Sequence, residues 1–166
     1  EDPYLTGAMG TASTLGVQSN PGIGVTIKHY AGNNQEINRN TQNDTVSERA
    51  FREIYLKGFE MAVKEAQPMS VMSSYNFING IYADSNYDLL ENVLRGEWDF
   101  KGMVMTDWGA GGRSIISESL HAGNDLTMPG GQQERIIKAL DPSVEGTDEQ
   151  FVIESNGFKE DRKSVV

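Results

Sequence analysis

Four short apolar runs, "GVTIKHYAGNN" (24–34), "PMSVMSSYN" (68–76), "KGMVMTDW" (101–108) and "NDLTMPG" (124–130), each close on polar or turn-forming residues. Runs of that length bounded by turn formers fit buried strands, and the segments between them carry helical rather than alternating periodicity. Residues 44–66 place Phe51, Ile54, Tyr55, Phe59, Ala62, Val63 and Ala66 at i, i+3, i+4 spacing, which predicts an amphipathic helix. Thr45 with Glu48 is set as its capping box, and Glu53–Lys57 and Glu60–Lys64 as i,i+4 pairs on its exposed face. Residues 84–100 align Leu90, Leu94 and Trp98, helped by Leu89 and Val93, on one face of a second helix, which makes Trp98 a core residue. Residues 113–123 predict a shorter third helix with Gly123 as its C-terminal stop, leaving His121 on its surface or in packing. Strand and crossover helix in repetition require parallel strands with helices packed outside them. Strand starts advance by roughly 20 to 45 residues, comparable with the ~31 per unit of a (β/α)8 barrel. The expected fold class is therefore α/β, with four parallel strands making half of a TIM-type barrel.

Composition narrows the partners. A net charge of −10 over 166 residues argues against a phosphate-tracking nucleic-acid binder and against an anionic membrane surface, since both need clustered Lys and Arg. There are no cysteines, which excludes disulfides and thiolate metal sites. No run approaches the roughly 20 apolar residues of a membrane span. The opening "EDPYLTGAMG" reads as the middle of a longer chain. From Gly130 onward there is one short helical candidate, "QQERIIKAL", and then a polar, acidic stretch, so a boundary is placed near Gly131: a barrel segment over 1–130 and a polar tail, insertion or linker over 131–166.

In parallel α/β architectures the ligand sits at the carboxyl edge of the strands. That edge collects Lys28 and His29, then Ser74, Tyr75 and Asn76, then Asp107 and Trp108, then Met128 and Pro129. Asp107 ends a run apolar enough to be buried, and a buried carboxylate is costly unless it is paired or put to use. A helix cap, a structural ion pair and a catalytic acid are all open readings for it. An acid, two bases and two aromatics together suit a sugar ring, with apolar C–H bonds on its flat face and hydroxyls around its rim. No glycine-rich phosphate loop follows any of the strands. Glu36 and Arg52 read as structural ion-pair residues.

"KHYAGNNQEINR", "VSERAFREIYLKGFEMAV", "VMSSYNFING", "LLENVLRGEWDFKGMVMTDWGA" and "AGNDLTMPG", in that order, closely resemble the catalytic barrel domain of glycoside hydrolase family 3, in its β-glucosidase branch. The resemblance runs over about residues 1 to 130. It implies the C-terminal half of a (β/α)8 barrel, and hydrolysis of terminal non-reducing β-D-glycosidic bonds with retention, from glucosides or xylosides, without metal or cofactor. Asp107 of "TDW" is implied as the nucleophile; Lys28, His29, Arg39 and Tyr75 as sugar contacts in the −1 subsite; Met72 and Trp108 as apolar walls. Lys28 and Arg39 are then the cations that keep Asp107 ionised, and Arg39, past its strand, reaches the site only if its loop folds back.

The resemblance also implies partners in the same parent protein: the earlier barrel strands, and the α/β sandwich domain that brings the acid/base glutamate. Glu145, Glu149, Glu154 and Glu160 lack the family's surrounding pattern and are not assigned that role. Half a barrel has open sheet edges and an uncovered apolar interior, so association is expected. Two other readings stand beside this one: a catalytically inactive sugar-binding or structural half-barrel fragment, and an aldolase using Lys28 as a Schiff base.

Overall fold

The computed structural model describes residues 2–140; the four tail glutamates lie outside the described residues. The chain begins with a helix that its hydropathy does not announce, α1 (Pro3–Gln18), where the Asp2 carboxylate accepts the Leu5 amide at 2.9 Å and Pro3 occupies the first turn, where no N–H is missed. Gly7 faces Met61 so closely that a Cβ there would strike the Met61 sulfur. Close backbone approach, rather than an apolar stripe, docks α1 against the next long helix, and periodicity therefore carries no signal for it.

β1 (Thr26–Tyr30) and a two-residue β2 (Asn43–Asp44) follow, then a composite helix: α2 (Glu48–Ala50), a π-wound stretch Phe51–Tyr55, and α3 (Lys57–Ala66). The helix is where the sequence puts it, but its cap is Ser47 rather than Thr45. Val46 is tied through both its amide and its carbonyl to the Asn79 side chain, each at 3.0 Å, so helical winding starts only after it, and the Ser47 hydroxyl accepts the Ala50 amide at 3.3 Å. The π-wound stretch rotates the helix phase across Glu53. Glu53 consequently pairs with Arg49 at 3.0 Å instead of Lys57, while Lys57 and Lys64 share Glu60 at 3.1 and 2.8 Å.

Next come β3 (Ser70–Ser73), β4 (Phe77–Ile78), β5 (Ile81–Tyr82), a 3-10 turn Ala83–Ser85 and a π-wound helix Asp88–Glu97. That helix is capped by Asn86, whose side-chain oxygen accepts the Leu89 amide at 3.1 Å. β6 (Met103–Met105), α4 (Ile116–His121) and α5 (Gln133–Leu140) complete the described chain. Gly123, at φ 99°, ends the helical stretch of α4 as expected. α5 lays Ile136, Ala139 and Leu140 against Ile116 and Leu120.

Three of the four expected strands form one parallel sheet in the order β1-β3-β6, with Thr26, Ser70 and Met103 in register. This is part of a (β/α)8 barrel. The fourth run is reduced to a single parallel bridge between Met105 and Leu126. Its Asp125 turns a carboxylate oxygen onto the Val104 amide at 2.8 Å and onto Arg95 at 2.6 Å, so side-chain bonds replace a regular ladder. A second small sheet, β2-β4-β5, grows from the end of β3. Its hairpin turns at Asn79 and Gly80, with φ of 49° and 91°, the conformation that Asn-Gly favours, and Phe77 stacks on Tyr82 across it at 3.7 Å.

The core lies between the main sheet and its helices. Val71, Val104, Val63, Leu90, Leu94 and Tyr30 are fully buried there, and the Tyr30 ring meets Phe59 at 5.1 Å and Trp98 at 5.9 Å edge-on. Trp98 is thus a core residue, as its helical face requires. Strand alternation puts Met72, Met103 and Met105 on the opposite face, which is open: Met103 is exposed and the other two are half-buried.

Candidate active site

The carboxyl ends of β1, β3 and β6 are stitched to one another by polar contacts. Ser74 donates its hydroxyl to the Ala31 carbonyl at 2.8 Å, and the Asn76 amide group donates to the same carbonyl at 3.2 Å and to Asp44 at 2.7 Å. Beyond β6, the Thr106 amide donates to the Leu126 carbonyl at 2.9 Å, while its hydroxyl accepts the Met128 amide at 2.8 Å. Asp107 therefore leaves a strand end that is fixed on both sides. The glycines after it close a tight loop: Gly109 has φ 82°, and a Cβ on Gly111 would collide with the Thr127 methyl.

Asp107 is only 7% exposed. One carboxylate oxygen accepts the Trp108 amide at 2.6 Å; the other is buried and has no hydrogen-bond partner among the described residues. His29 Nε2 stands 3.4 Å from that second oxygen without hydrogen-bond alignment. Leaving a buried carboxylate oxygen without a hydrogen bond costs free energy.

A β-bulge explains how His29 gets there. Ile27 pairs with Val71 and Tyr30 with Ser73, so Lys28 and His29 together oppose the single residue Met72. A bulge re-aims side chains at a strand end. His29 is delivered to Asp107, whereas Lys28 is exposed and makes no ion pair among the described residues. The basic side chain that stands beside Asp107 is therefore the imidazole of His29 and not Lys28. Exposure also weighs against a Schiff-base role, since a lysine nucleophile needs desolvation or a second cation to lower its pKa.

The loop carrying Arg39 does fold back. Its guanidinium lies 4.6 Å from the Tyr75 ring centroid and 2.9 Å from Glu36, rather than on Asp107. Glu36 thus forms an ion pair as expected, and Arg52 does likewise with Glu97 at 2.6 Å and Glu48 at 3.0 Å. Tyr75 donates its hydroxyl to the Trp108 carbonyl at 2.7 Å. Burial, and then the Asp107 carboxylate, push its phenol above the ordinary tyrosine value, against the opposing pull of Arg39 and Arg113. Tyr75 is consequently a neutral donor at physiological pH. Trp108, 65% exposed, offers its indole at the mouth, and Met72 lies on the open face of the sheet behind the bulge.

Arg113 is a residue that sequence reasoning passed over. Its guanidinium lies 4.8 Å from the same Tyr75 centroid. The apolar pattern assigns it to a helix start, but α4 begins only at Ile116, which leaves Arg113 in the loop. Its position as the first cation after the glycines following Asp107 was the available signal. His121, in contrast, stacks on Tyr87 at 4.9 Å, and burial lowers its pKa. A cavity of about 560 Å³ beside the outer edge of β1 shares Lys28 and His29 with the site but is not lined by Asp107. Among the described residues, no three His, Cys, Asp or Glu side chains are grouped to hold a metal ion.

Residues 1–156 match the family model described as the glycosyl hydrolase family 3 N terminal domain. Beta-glucosidase B of Emericella nidulans is 54% identical over 130 residues, which is 78% of this chain and 15% of that protein. An exo-alpha-(1->6)-L-arabinopyranosidase of Bifidobacterium breve is 50% identical over 129 residues, again 78% of this chain, and 17% of its own length. Among solved structures, beta-glucosidase 3B from Thermotoga neapolitana in complex with glucose superposes with a TM-score of 0.75 at 51% identity, over 90% of this chain and 19% of that one. The GH3 beta-glucosidase of Bifidobacterium adolescentis superposes with a TM-score of 0.80 at 43% identity, over 92% of this chain and 22% of its own. The chain thus spans less than a quarter of the length of each of these relatives.

Proposed function

The chain belongs to the glycosyl hydrolase family 3 N-terminal domain family, and from that premise we propose that it carries the nucleophile side of a retaining β-glycosidase site. The observation that supports this reading is the Asp107 oxygen, buried, without a hydrogen bond among the described residues and 3.4 Å from His29 Nε2. In the reaction that oxygen attacks the anomeric carbon of a terminal sugar as the bond to the leaving oxygen breaks, giving a covalent glycosyl-enzyme. Water then attacks the same carbon and releases the sugar with its original configuration. Lys28, His29 and Arg39 supply donors to sugar hydroxyls, Tyr75, whose hydroxyl is engaged on the Trp108 carbonyl, contacts the sugar as an acceptor and a ring edge, and Met72 and Trp108 form apolar walls.

A retaining site needs a second carboxyl group about 5 to 5.5 Å from the first, to protonate the leaving oxygen. We assign that group to the rest of a longer parent protein, in keeping with the small share of its relatives that the chain spans. The remaining barrel strands would cover the open face bearing Met103, Met72 and Met105. The isolated chain then turns over ordinary glycosides weakly or not at all, since leaving-group protonation and part of the substrate positioning are missing. A β-glucoside is the favoured substrate. The arabinopyranosidase relatives favour a second reading, a pyranoside without the hydroxymethyl group, for which a β-xyloside is the closest analogue of glucose.

Dinitrophenyl β-glycosides need no acid, and so test the nucleophile side alone. With the glucoside, proton NMR should show the β-anomer as the first sugar released, at a rate abolished by Asp107→Asn. First release of the α-anomer would overturn retention. Glucose binding without any release would favour the inactive sugar-binding fragment.

A further inference from the structure

A line of contacts leads from Tyr75 into the protein, away from the sugar. Arg113, on the Tyr75 ring, is exposed and has no carboxylate within ion-pair distance among the described residues. The residues before it are Gly109, Ala110, Gly111 and Gly112, which offer no side chain long enough to anchor the loop. Its neighbour Ser114 provides the anchor. Ser114 is 4% exposed, and its hydroxyl donates to Asp84 at 2.8 Å. Arg135 of α5 donates to the Ser114 carbonyl at 3.0 Å and to the Gly111 carbonyl at 3.1 Å, so the loop is gripped at two points of its backbone and one side chain.

Asp84 is 2% exposed, in the 3-10 turn that follows the small hairpin, and also accepts the Ser85 hydroxyl at 3.3 Å. Burial raises its pKa, against the pull of the two hydroxyls and of Arg113. An acidic group buried at a helix-loop junction with no ion pair among the described residues is an expensive way to hold a serine unless what the serine carries matters. The residue it carries is Arg113.

Resting on the assignment of Asp107 as nucleophile, we propose that Asp84 and Ser114 form a buried latch that sets Arg113 on the Tyr75 ring, making Asp84, Ser114 and Arg113 positioning residues for Tyr75 and, through it, for Asp107. Arg39 reaches the same ring from the loop after β1, so segments from two different crossovers converge on one phenol. With either guanidinium absent the ring loses part of its support, and its hydroxyl is no longer confined to the Trp108 carbonyl beside Asp107.

The test uses Ser114→Ala, Ser114→Thr and the exposed-site variant Arg113→Gln, with the Tyr75 resonance of 13Cζ-tyrosine protein assigned by Tyr75→Phe. Arg113 is one of the cations that lower the Tyr75 pKa, so S114A and R113Q should both move its titration to higher pH, while S114T, which keeps the hydroxyl, should titrate like the parent chain. Labelling of Asp107 by a 2-fluoro glucoside with a dinitrophenyl leaving group should slow by roughly ten- to a hundredfold in the first two variants and not in S114T. An unmoved Tyr75 titration in R113Q and S114A would overturn the latch, and a moved titration with unchanged labelling would overturn its positioning role. If the parent chain is not labelled at Asp107, the nucleophile assignment is what fails, and the Tyr75 titration still decides whether the latch exists.

Discussion

Val104 and Asp107 are three residues apart at the end of one strand and both are buried, yet their surroundings are opposite in kind. Val104 has its amide bonded to Asp125 and its side chain packed among Val71, Leu90 and Leu94. Asp107 has one oxygen bonded to its own neighbour's amide and one buried without a hydrogen bond among the described residues. Burial at Val104 satisfies a demand for apolar volume, which many side chains could meet. Burial at Asp107 works against stability, and the proposed role as nucleophile gives a reason for it. The helix-facing side of the sheet therefore sets whether the chain folds, and the carboxyl rim is where the proposed chemistry lies.

Variants that separate the two regions give the largest effects. On the proposed assignment, Asp107→Asn should lower the rate of glycosyl transfer by about a thousandfold or more, while thermal unfolding stays where it was or moves up, because a buried carboxylate oxygen without a hydrogen bond is gone. Leu90→Ala should do the reverse: a loss of about 2–5 kcal/mol in denaturant unfolding, with the labelling rate per folded molecule unchanged. A Leu90→Ala chain that stays as stable as its parent, or an Asp107→Asn chain that unfolds, would dissolve the distinction.

Gly111→Ala probes the border between the regions. The added methyl would run into Thr127, so about 1–3 kcal/mol of stability should be lost together with labelling rate, both measured on one sample. The smallest effect belongs to the surface. Arg52 bonds Glu97 at 2.6 and 2.8 Å, and that pairing lowers the Glu97 pKa. Its folded value lies below its unfolded one, so the contribution is complete above about pH 4.3, the ordinary glutamate value. It is lost as the pH falls through the lower folded value. Both side chains are more than a third exposed, and Glu97→Gln should therefore cost less than about 1 kcal/mol at pH 7 and almost nothing near pH 2 by thermal melting.

The same division decides what could be read from the residues alone. The helix carrying Phe59, Val63 and Ala66 and the one carrying Leu90, Leu94 and Trp98 were legible because each turns a regular apolar face to the sheet. α1 was not, because it docks through Gly7 by close approach and leaves Leu5, Met9 and Leu15 exposed. The fourth strand read as regular because its pattern is apolar, but an aspartate side chain occupies the hydrogen bonds a ladder would use. Asp107, His29 and Tyr75 were legible as strand ends. The nearness of His29 rather than Lys28 was not, since it depends on a bulge that no spacing reveals, and Arg113 was hidden by the assumption that its helix began three residues early.

The most direct test of the central assignment is covalent trapping: incubation of the chain with 2,4-dinitrophenyl 2-deoxy-2-fluoro-β-D-glucoside, followed by peptide mapping in a mass spectrometer. A fluoroglucosyl adduct on the peptide containing Asp107, missing from Asp107→Asn, is the expected result. An adduct on a different carboxylate, or none while the sugar demonstrably binds, would contradict it.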